Sequence, residues 1–244
     1  IAEVLTPHDT PQSSQSGASE AFFDQYHGQH GAGSSSTLPW WCLLGTLEPE
    51  HVIHHVAETI KPRVVVELGC GTGSNLATVQ AAHPGVSRLI GCDVSFQALR
   101  LARESLRNHP DTSELLLVHS DSANLPLEPG CADLVLLINV LHHATDLSLV
   151  GDAARLVRPG GTVLIIDLSA GNFLYNSSRF AWNYLPRPLR RRFNHDLLVE
   201  GEAPKVRLVD LTSLDLITRQ NGLAPEVYEY KVLFLFVFQY ACML

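Results

Sequence analysis

Short apolar runs alternate with amphipathic stretches through the middle of this 244-residue chain. The runs have the length and composition of buried strands, and the stretches between them carry apolar residues at helical spacing. Strands that alternate with helices in this way predict a parallel sheet that is covered on both faces. The predicted strands are residues 64–68, 88–92, 115–119, 133–138 and 162–167, and the crossover helices are residues 75–82, 96–108 and 147–157.

Further elements are predicted on both sides of this central region. Apolar residues at helical spacing predict a helix over residues 47–60 and another over residues 212–220. Two β-rich runs, residues 226–232 and 234–240, are joined too closely for a helical crossover, so we expect them to pair antiparallel at the sheet edge. The expected fold is α/β, a doubly wound, mostly parallel sheet of seven strands whose last strand is antiparallel.

Composition divides the chain into two parts. Residues 1–46 contain stretches rich in Ser, Gly and Gln that bury too little apolar surface to offset their ordering entropy, so we expect a mobile N-terminal segment and lid. Within it the aromatic patch FFDQYH, residues 22–27, is the helical piece expected to fold over a site. Residues 47–244 are expected to form one domain, interrupted by an aromatic and basic insert at residues 169–208.

Charge and cysteine usage exclude several classes of partner. The chain has 25 Asp and Glu against 17 Lys and Arg, a formal net charge of −8, which disfavours nucleic acid because phosphate binding rests on clustered positive charge.

Five scattered cysteines without a C-x-x-C pair indicate reduced thiols in the cytoplasm. His51, His54 and His55 lack a cysteine or carboxylate to complete a metal site, so no metal is expected. No apolar run is long enough to span a bilayer, so no membrane contact is expected.

The segment VVVELGCGTG, residues 64–73, joins a buried strand to a helix through a glycine turn. Gly69, Gly71 and Gly73 allow the backbone to bend sharply and to approach a ligand, and the helix N-terminus offers free N–H groups. A dinucleotide-binding turn has the pattern G-x-G-x-x-G, but Ser74 stands where that pattern has its third glycine. The turn therefore departs from the dinucleotide pattern.

With Glu67 ahead of its alternating glycines, this turn resembles the first motif of the class I S-adenosylmethionine-dependent methyltransferases. Asp93 lies twenty residues beyond the turn, at the end of the second predicted strand, where a carboxylate can accept both ribose hydroxyls. Asp121 ends the third predicted strand, where the family places an acidic or amide side chain against the adenine amine. The segments around the fourth and fifth strands are similar to the family's later motifs, so the resemblance covers residues 60–170.

The resemblance implies that the cofactor is S-adenosylmethionine and the product S-adenosylhomocysteine. It implies a set of cofactor-binding residues along the carboxyl ends of the strands. These are Glu67, Gly69, Gly71 and Asn139 for the methionine part, with Cys70 and Gly73 in the same turn, Asp93 and Val94 for the ribose and the adenine edge, and Asp121 and Ser122 for the adenine. Tyr26 matches an N-terminal aromatic residue that covers the methionine part in that family.

Two adjacent histidines, His142 and His143, follow the fourth predicted strand. Either is a candidate general base, because imidazole can accept a proton near neutral pH from a phenol, acid or amine. The alternative is that they only cap and pack the following turn. Asp146 could orient His142, or it could cap the helix predicted from residue 147. The residues alone leave these alternatives open.

The expected activity is methyl transfer to an O, N or C atom of a small molecule, and we expect a specialised metabolite as the acceptor. The aromatic and basic insert, strongest over residues 173–193, is either an acceptor-binding lid or a packed amphipathic helix with a solvated basic end. Two other functions stay open: methylation of RNA or protein, and cofactor binding without methyl transfer. A homodimer is also left open.

Overall fold

The computed structural model describes residues 3–5, 20–25, 27–28, 49–107, 114–120, 125–144, 146–168, 209–224, 227–233 and 237–243. The strands are β1 (Glu3–Leu5), β2 (Val64–Leu68), β3 (Arg88–Asp93), β4 (Leu115–His119), β5 (Ala132–Ile138), β6 (Val157–Leu168), β7 (Val227–Leu233) and β8 (Val237–Met243). The helices are α1 (Pro49–Ile60), α2 (Ser74–Ala82), α3 (Phe96–Arg107), α4 (Ser148–Leu156) and α5 (Leu211–Gln220), and a 3-10 turn covers Leu141–His143. None of the described helices has both the length and the apolar character needed to cross a membrane.

Five strands at the centre of the sheet run parallel in the order β4-β3-β2-β5-β6. The predicted α/β fold with a parallel sheet is therefore confirmed. The described residues form eight strands and not the expected seven, because β1 pairs parallel with β4 at one edge. Its three residues form a run too short to stand out as a strand in the sequence. At the other edge β8 lies between β6 and β7 and pairs antiparallel with both.

The predicted strand bounds lie within one residue of the structure in β2, β3, β4, β5 and β7, but β8 lies three residues later than predicted and β6 begins earlier. This strand begins at Val157, five residues before the predicted start, and it includes the Pro159, Gly160 and Gly161 segment. The register with β5 shifts between the pairs Ala132↔Val157 and Leu134↔Thr162. Pro and Gly indicate a loop in a sequence, but an irregularity in the ladder accommodates them because it relaxes the pairing there.

Apolar side chains form a hydrophobic cluster on each face of the sheet. Successive residues of a strand point to opposite faces, so Val65 belongs to the cluster under α1, α2 and α3, and Val66 to the cluster under α4 and α5. Both side chains are fully buried. The helices cover both faces, which explains why the central strands appear in the sequence as continuous apolar runs.

The parallel arrangement gathers the predicted site residues at one edge. The carboxyl ends of β2, β3, β5 and β6 are neighbours in the sheet. The glycine turn follows β2, Asp93 ends β3, Asn139 follows β5, and Asp167 lies near the end of β6. In an open α/β sheet this edge is where ligands bind.

Candidate active site

The glycine turn after β2 takes a backbone conformation that favours glycine. Gly69, Gly71 and Gly73 have φ values of 76°, 52° and 81°. A Cβ on Gly69 would lie 2.4 Å from Cγ2 of Val140, so this position also has no room for a side chain. A Cβ on Gly71 would meet nothing within 4 Å. The turn therefore packs tightly against Val140 at Gly69. At Gly71 there is free space, through which a ligand can approach the backbone.

The carboxylate of Asp93 is fixed beside this turn by two backbone N–H groups. Gly71 N–H donates to its Oδ2 at 2.7 Å, and Ser95 N–H donates to its Oδ1 at 2.8 Å. Burial raises the pKa of Asp93, while these two hydrogen bonds and the nearby His27 and His119 act in the opposite direction. Each carboxylate oxygen has two lone pairs, so each can still accept a hydrogen bond from a hydroxyl group of a ligand.

Glu67, at the end of β2, is fully buried. The Asn75 amide donates to its Oε1 at 2.6 Å, and its Oε2 has no hydrogen-bond partner among the described residues. Its pKa is raised to about 8. Burial is the largest cause, the Asn75 hydrogen bond acts in the opposite direction, and the negative charge of Asp93 adds to the rise. A buried oxygen without a partner is costly, so this atom is suited to a ligand that brings a donor or a positive charge.

Cys70 contributes its backbone to the turn and its side chain to the core. Its N–H and that of Gly69 both donate to the carbonyl of Cys92, at 3.0 and 2.8 Å. The thiol belongs to the cluster under α1, α2 and α3, and burial raises its pKa well above the usual range. The structure therefore places this sulfur away from ligand chemistry and leaves the turn's backbone as the surface that a ligand meets.

Asn139 follows β5 in the left-handed region, with φ 53°, which is uncommon for a residue with a side chain. Its N–H donates to the carbonyl of Ile166 at 2.7 Å, so the residue stays attached to β6 while its side chain is exposed. Backbone conformations of this kind cost free energy and concentrate at functional sites. The bend sends the chain directly into the 3-10 turn that carries the two histidines.

His142 is held by a carboxylate from a different strand. Its Nδ1–H donates to Oδ1 of Asp167 at 2.6 Å, while Leu141 N–H donates to Oδ2 of the same carboxylate at 2.7 Å. His142 is almost completely buried and Asp167 is fully buried. Asp146, the partner considered from the sequence, accepts a hydrogen bond from Ser148 N–H, the first N–H of α4, at 2.9 Å. The N-cap residue of α4 is Leu147, whose side chain makes no capping bond, so Asp146 binds the start of the helix from one residue further out.

His143 has a different environment although it is the next residue. Its ring lies edge-on against Phe23, with centroids 5.1 Å apart, and 3.9 Å from the ring of His142. Its Nδ1 is buried and has no hydrogen-bond partner among the described residues. Its pKa is lowered to about 4. Burial is the largest cause, the adjacent His142 acts in the same direction, and Asp167 opposes the shift. The ring is therefore neutral at pH 7.

An N-terminal helical segment, residues 20–25, lies across the site. Besides the contact of Phe23 with His143, Oδ1 of Asp24 accepts hydrogen bonds from Ser95 Oγ–H at 2.7 Å and from Gln97 N–H at 2.9 Å. Glu20 lies 3.3 Å from Nε2 of His119. The segment therefore contacts both the end of β3 and the two histidines.

Comparison with known proteins identifies the domain. A family model described as a methyltransferase domain matches residues 66–165. The chain is 29% identical over 196 residues to the ubiquinone biosynthesis O-methyltransferase of Thiobacillus denitrificans, across 77% of this chain and 78% of that protein. It is 35% identical over 101 residues to an uncharacterized 37.1 kDa protein in transposon TN4556 of Streptomyces fradiae, but spans only 28% of that protein and 41% of its own length. The chain carries an S-adenosylmethionine-dependent methyltransferase domain.

The fold of this methyltransferase has solved counterparts. The structure of magnesium protoporphyrin IX methyltransferase from Synechocystis PCC 6803, with bound S-adenosylhomocysteine, matches 94% of this chain and 98% of that chain with a TM-score of 0.65. The sequence identity is 12%, so this likeness concerns the fold alone.

The described residues fit S-adenosylmethionine, the cofactor of the enzyme. That molecule carries an ammonium group, a sulfonium centre and a ribose with two hydroxyls. The unpartnered Oε2 of Glu67 suits a cationic group, the oxygens of Asp93 suit the ribose hydroxyls, and Gly71 leaves the backbone accessible. Within the part of the chain that the structure describes, no three His, Cys, Asp or Glu side chains could hold a metal ion.

The methyltransferase site contains residues that the sequence did not point out, and some of those that the sequence did point out cannot be compared with it. Tyr26, Asp121, Ser122 and the insert at residues 169–208 lie outside the described residues. Asp167, Asn75, Phe23, Asp24 and Ser95 were not singled out as site residues. For Asp167 a signal exists, because it is an acid directly after the buried apolar run at residues 163–166.

Proposed function

We propose that this enzyme transfers the methyl group of S-adenosylmethionine to a hydroxyl oxygen of a small molecule, with His142 as the general base and Asp167 as its buried partner. The observation that carries the proposal is the 2.6 Å contact between Nδ1 of His142 and Oδ1 of Asp167. The acceptor class agrees with the relative from Thiobacillus denitrificans, which is named an O-methyltransferase.

The pairing with Asp167 determines which nitrogen of His142 can act. Because Asp167 also accepts a hydrogen bond from Leu141 N–H, its carboxylate is fixed as an acceptor and Nδ1 of His142 carries the proton. Nε2 then has the lone pair that can accept a proton. A buried carboxylate that holds an imidazole in one tautomer and stabilises its cation is the arrangement of hydrolytic triads. Here the same arrangement would remove the acceptor's hydroxyl proton as the oxygen attacks the methyl carbon.

His143 is proposed to bind the acceptor and not to deprotonate it. A group whose pKa is lowered to about 4 is a weak base at neutral pH. Its unpartnered Nδ1 and its contact with Phe23 suit a hydrogen bond and an apolar wall for a small molecule. The two adjacent histidines therefore divide proton transfer and acceptor binding between them.

For the cofactor, the proposed contacts follow the chemistry of each group. S-adenosylmethionine supplies the reactive methyl group on its sulfonium. Asp93 would accept the ribose hydroxyls with Val94 beside it, Glu67 would face the methionine end, and the exposed Asn139 would border it. Asp121, Ser122 and Tyr26 keep the adenine and methionine roles that the family resemblance implies. The protein's part is to align the acceptor oxygen and to exclude water.

We also propose that strands β2 to β8 form the seven-stranded sheet of the class, with β8 as its antiparallel strand. In this interpretation β1 is an addition at the edge beside β4. The small excess of acidic residues along the chain supports a small acceptor over nucleic acid.

A panel of phenols, catechols and amines, assayed by S-adenosylhomocysteine release, tests the proposed function. With an active hydroxyl acceptor, His142→Ala should lower kcat by about 100- to 10,000-fold, because general-base catalysis contributes that much. His143→Ala should mainly raise the acceptor KM. His55→Ala, an exposed histidine on α1, is the matched control and should leave both parameters unchanged.

Three outcomes would contradict the proposal. A fully active His142→Ala enzyme would remove the base, and methylation of amines alone would remove the hydroxyl acceptor. Cofactor binding without turnover of any acceptor, or turnover of RNA or protein alone, would favour one of the functions that the sequence left open.

A further inference from the structure

We propose that Asp24 is a positioning residue that fastens the N-terminal helical segment to the ribose-binding loop, so that this segment closes over the histidines when the loop is arranged to bind the cofactor. For the acceptor half of the site, this inference rests on the proposed function. For the cofactor half, it rests on the binding of S-adenosylmethionine. It concerns residues 20–25 and the loop that connects β3 to α3.

A continuous series of hydrogen bonds joins the glycine turn to Asp24. Gly71 N–H donates to Asp93, Ser95 N–H donates to the same carboxylate, and Ser95 Oγ–H donates to Asp24 at 2.7 Å. Gln97 N–H also donates to Asp24, at 2.9 Å. A carboxylate that precedes Ser95 by 71 residues in the chain is thus connected, through Ser95 alone, to Asp93, the group proposed to hold the ribose.

Ser95 makes this connection specific, because its hydroxyl is used on both sides. The residue is fully buried, and its Oγ accepts a hydrogen bond from Ala98 N–H at 3.0 Å while it donates to Asp24. Ser95 therefore already caps α3 as an ordinary N-cap residue does. Asp24 is not needed to begin the helix, and its second bond satisfies the N–H of Gln97, a donor that the helix itself cannot satisfy.

The same short segment reaches the acceptor side of the site. Phe23, the residue before Asp24, places its ring against His143, whose other neighbour is His142. Any movement that releases Asp24 from the β3–α3 loop would also move Phe23 relative to the histidines. One carboxylate thus connects the cofactor half of the site with the half proposed to bind the acceptor.

A merely structural role for Asp24 predicts a different result. If the carboxylate only stabilised α3, its removal would lower stability and leave ligand affinities unchanged. If it fastens the segment, removal lowers the fraction of molecules in the closed arrangement, and apparent affinities fall in proportion. Asp210 offers a matched control because it caps α5 through the N–H of Ser213 at 2.8 Å, within its own segment.

Hydrogen–deuterium exchange of the full chain, with and without S-adenosylhomocysteine, tests the inference. In the wild type, the ligand should slow exchange both in the glycine turn and in residues 20–25. Asp24→Ala should keep the protection of the turn and lose that of the segment. Asp24→Asn retains an oxygen that can accept both bonds and should restore most of the protection. Asp210→Ala should behave as the wild type in both regions.

Steady-state kinetics give the second readout. Asp24→Ala should raise the acceptor KM and the Kd of S-adenosylhomocysteine by about tenfold, the equivalent of one hydrogen bond to a charged acceptor at the weak end of its range. The pH profile of kcat, which depends on His142, should not move. Equal protection of residues 20–25 in the wild type and in Asp24→Ala would overturn the inference. Failure of S-adenosylhomocysteine to protect the turn in the wild type would overturn the cofactor contacts as well.

Discussion

Replacing Glu67 with glutamine should make the free energy of unfolding less dependent on pH. The carboxyl is fully buried, and burial raises its pKa from the ordinary 4.5 to about 8. The folded protein therefore binds this proton more tightly than the unfolded chain does. For such a group the contribution to stability is complete below pH 4.5 and is lost as the pH rises toward 8.

The size of the effect follows from the shift. Each pKa unit corresponds to about 1.36 kcal/mol, so the wild type should lose about 3 kcal/mol between pH 4.5 and pH 7, and about 4 kcal/mol by pH 8. Glutamine has the same shape, keeps an oxygen for the amide of Asn75, and has no proton to lose. Glu67→Gln should therefore be more stable than the wild type at pH 8, and the difference should shrink steadily toward pH 5.

Urea unfolding followed by circular dichroism between pH 5 and pH 8, without cofactor, measures this difference. The other titrating groups are common to both proteins and cancel in it. Glu104→Gln, an exposed carboxyl on α3, is the control and should leave the pH dependence unchanged. A stability difference between Glu67→Gln and the wild type that is the same at pH 5 and pH 8 would refute the reasoning, because it would show that Glu67 does not hold a proton in the folded state.

Three more predictions concern the cofactor side of the site. Gly69→Ala should cost about 3 kcal/mol of stability because its Cβ would clash with Val140, whereas Gly222→Ala, with the same φ of 76° and open space around it, should cost about 1 kcal/mol in the same urea assay. Asp93→Ala should weaken the binding of S-adenosylhomocysteine by about 100-fold in isothermal titration calorimetry. NAD should bind to neither protein. An unchanged affinity for S-adenosylhomocysteine would contradict the proposed contact with the ribose. Binding of S-adenosylmethionine near pH 7.5 should release a proton, seen as a buffer-dependent binding enthalpy, because its positive charges lower the pKa of Glu67; Glu67→Gln should release none.

Local features of the fold could be predicted because burial on both faces leaves a simple pattern. β2 and β4 have the bounds that the apolar runs indicate, since a strand covered on both sides is apolar along almost all of its length, with Glu67 near the end of β2 as an exception. β6 begins earlier than its apolar run because Val157 already pairs with Ala132 of β5, and the ladder resumes at Thr162 after an irregular segment that contains a proline and two glycines. β1 was missed because three residues carry too little pattern, and only the free edge of β4 explains why they form a strand.

The glycine turn and Asp93 could be predicted for the same reason, since their chemistry lies within a few residues of a strand end. The partners of the histidines and of Ser95 could not be predicted. Asp167 is 25 residues from His142 and meets it only because β5 and β6 are neighbours in the sheet. Asp24 meets Ser95 across 71 residues. Contacts of this kind depend on strand order and on where the chain returns, and neither leaves a local signal.

The two histidines show why these distant partners decide function. In the sequence they are equivalent candidates, adjacent and equally placed after the fourth strand of the predicted sheet. In the structure the ring of His142 is hydrogen-bonded to the buried carboxylate of Asp167. The ring of His143 lies between Phe23 and His142, and its pKa is lowered to about 4, mainly by burial. A base needs a partner that stabilises its cation, whereas a binding surface needs a neutral ring with an unused nitrogen. The 3-10 turn directs successive side chains to different surroundings, so one dipeptide can meet both requirements. The proposed assignment of each role rests on Asp167 and Phe23.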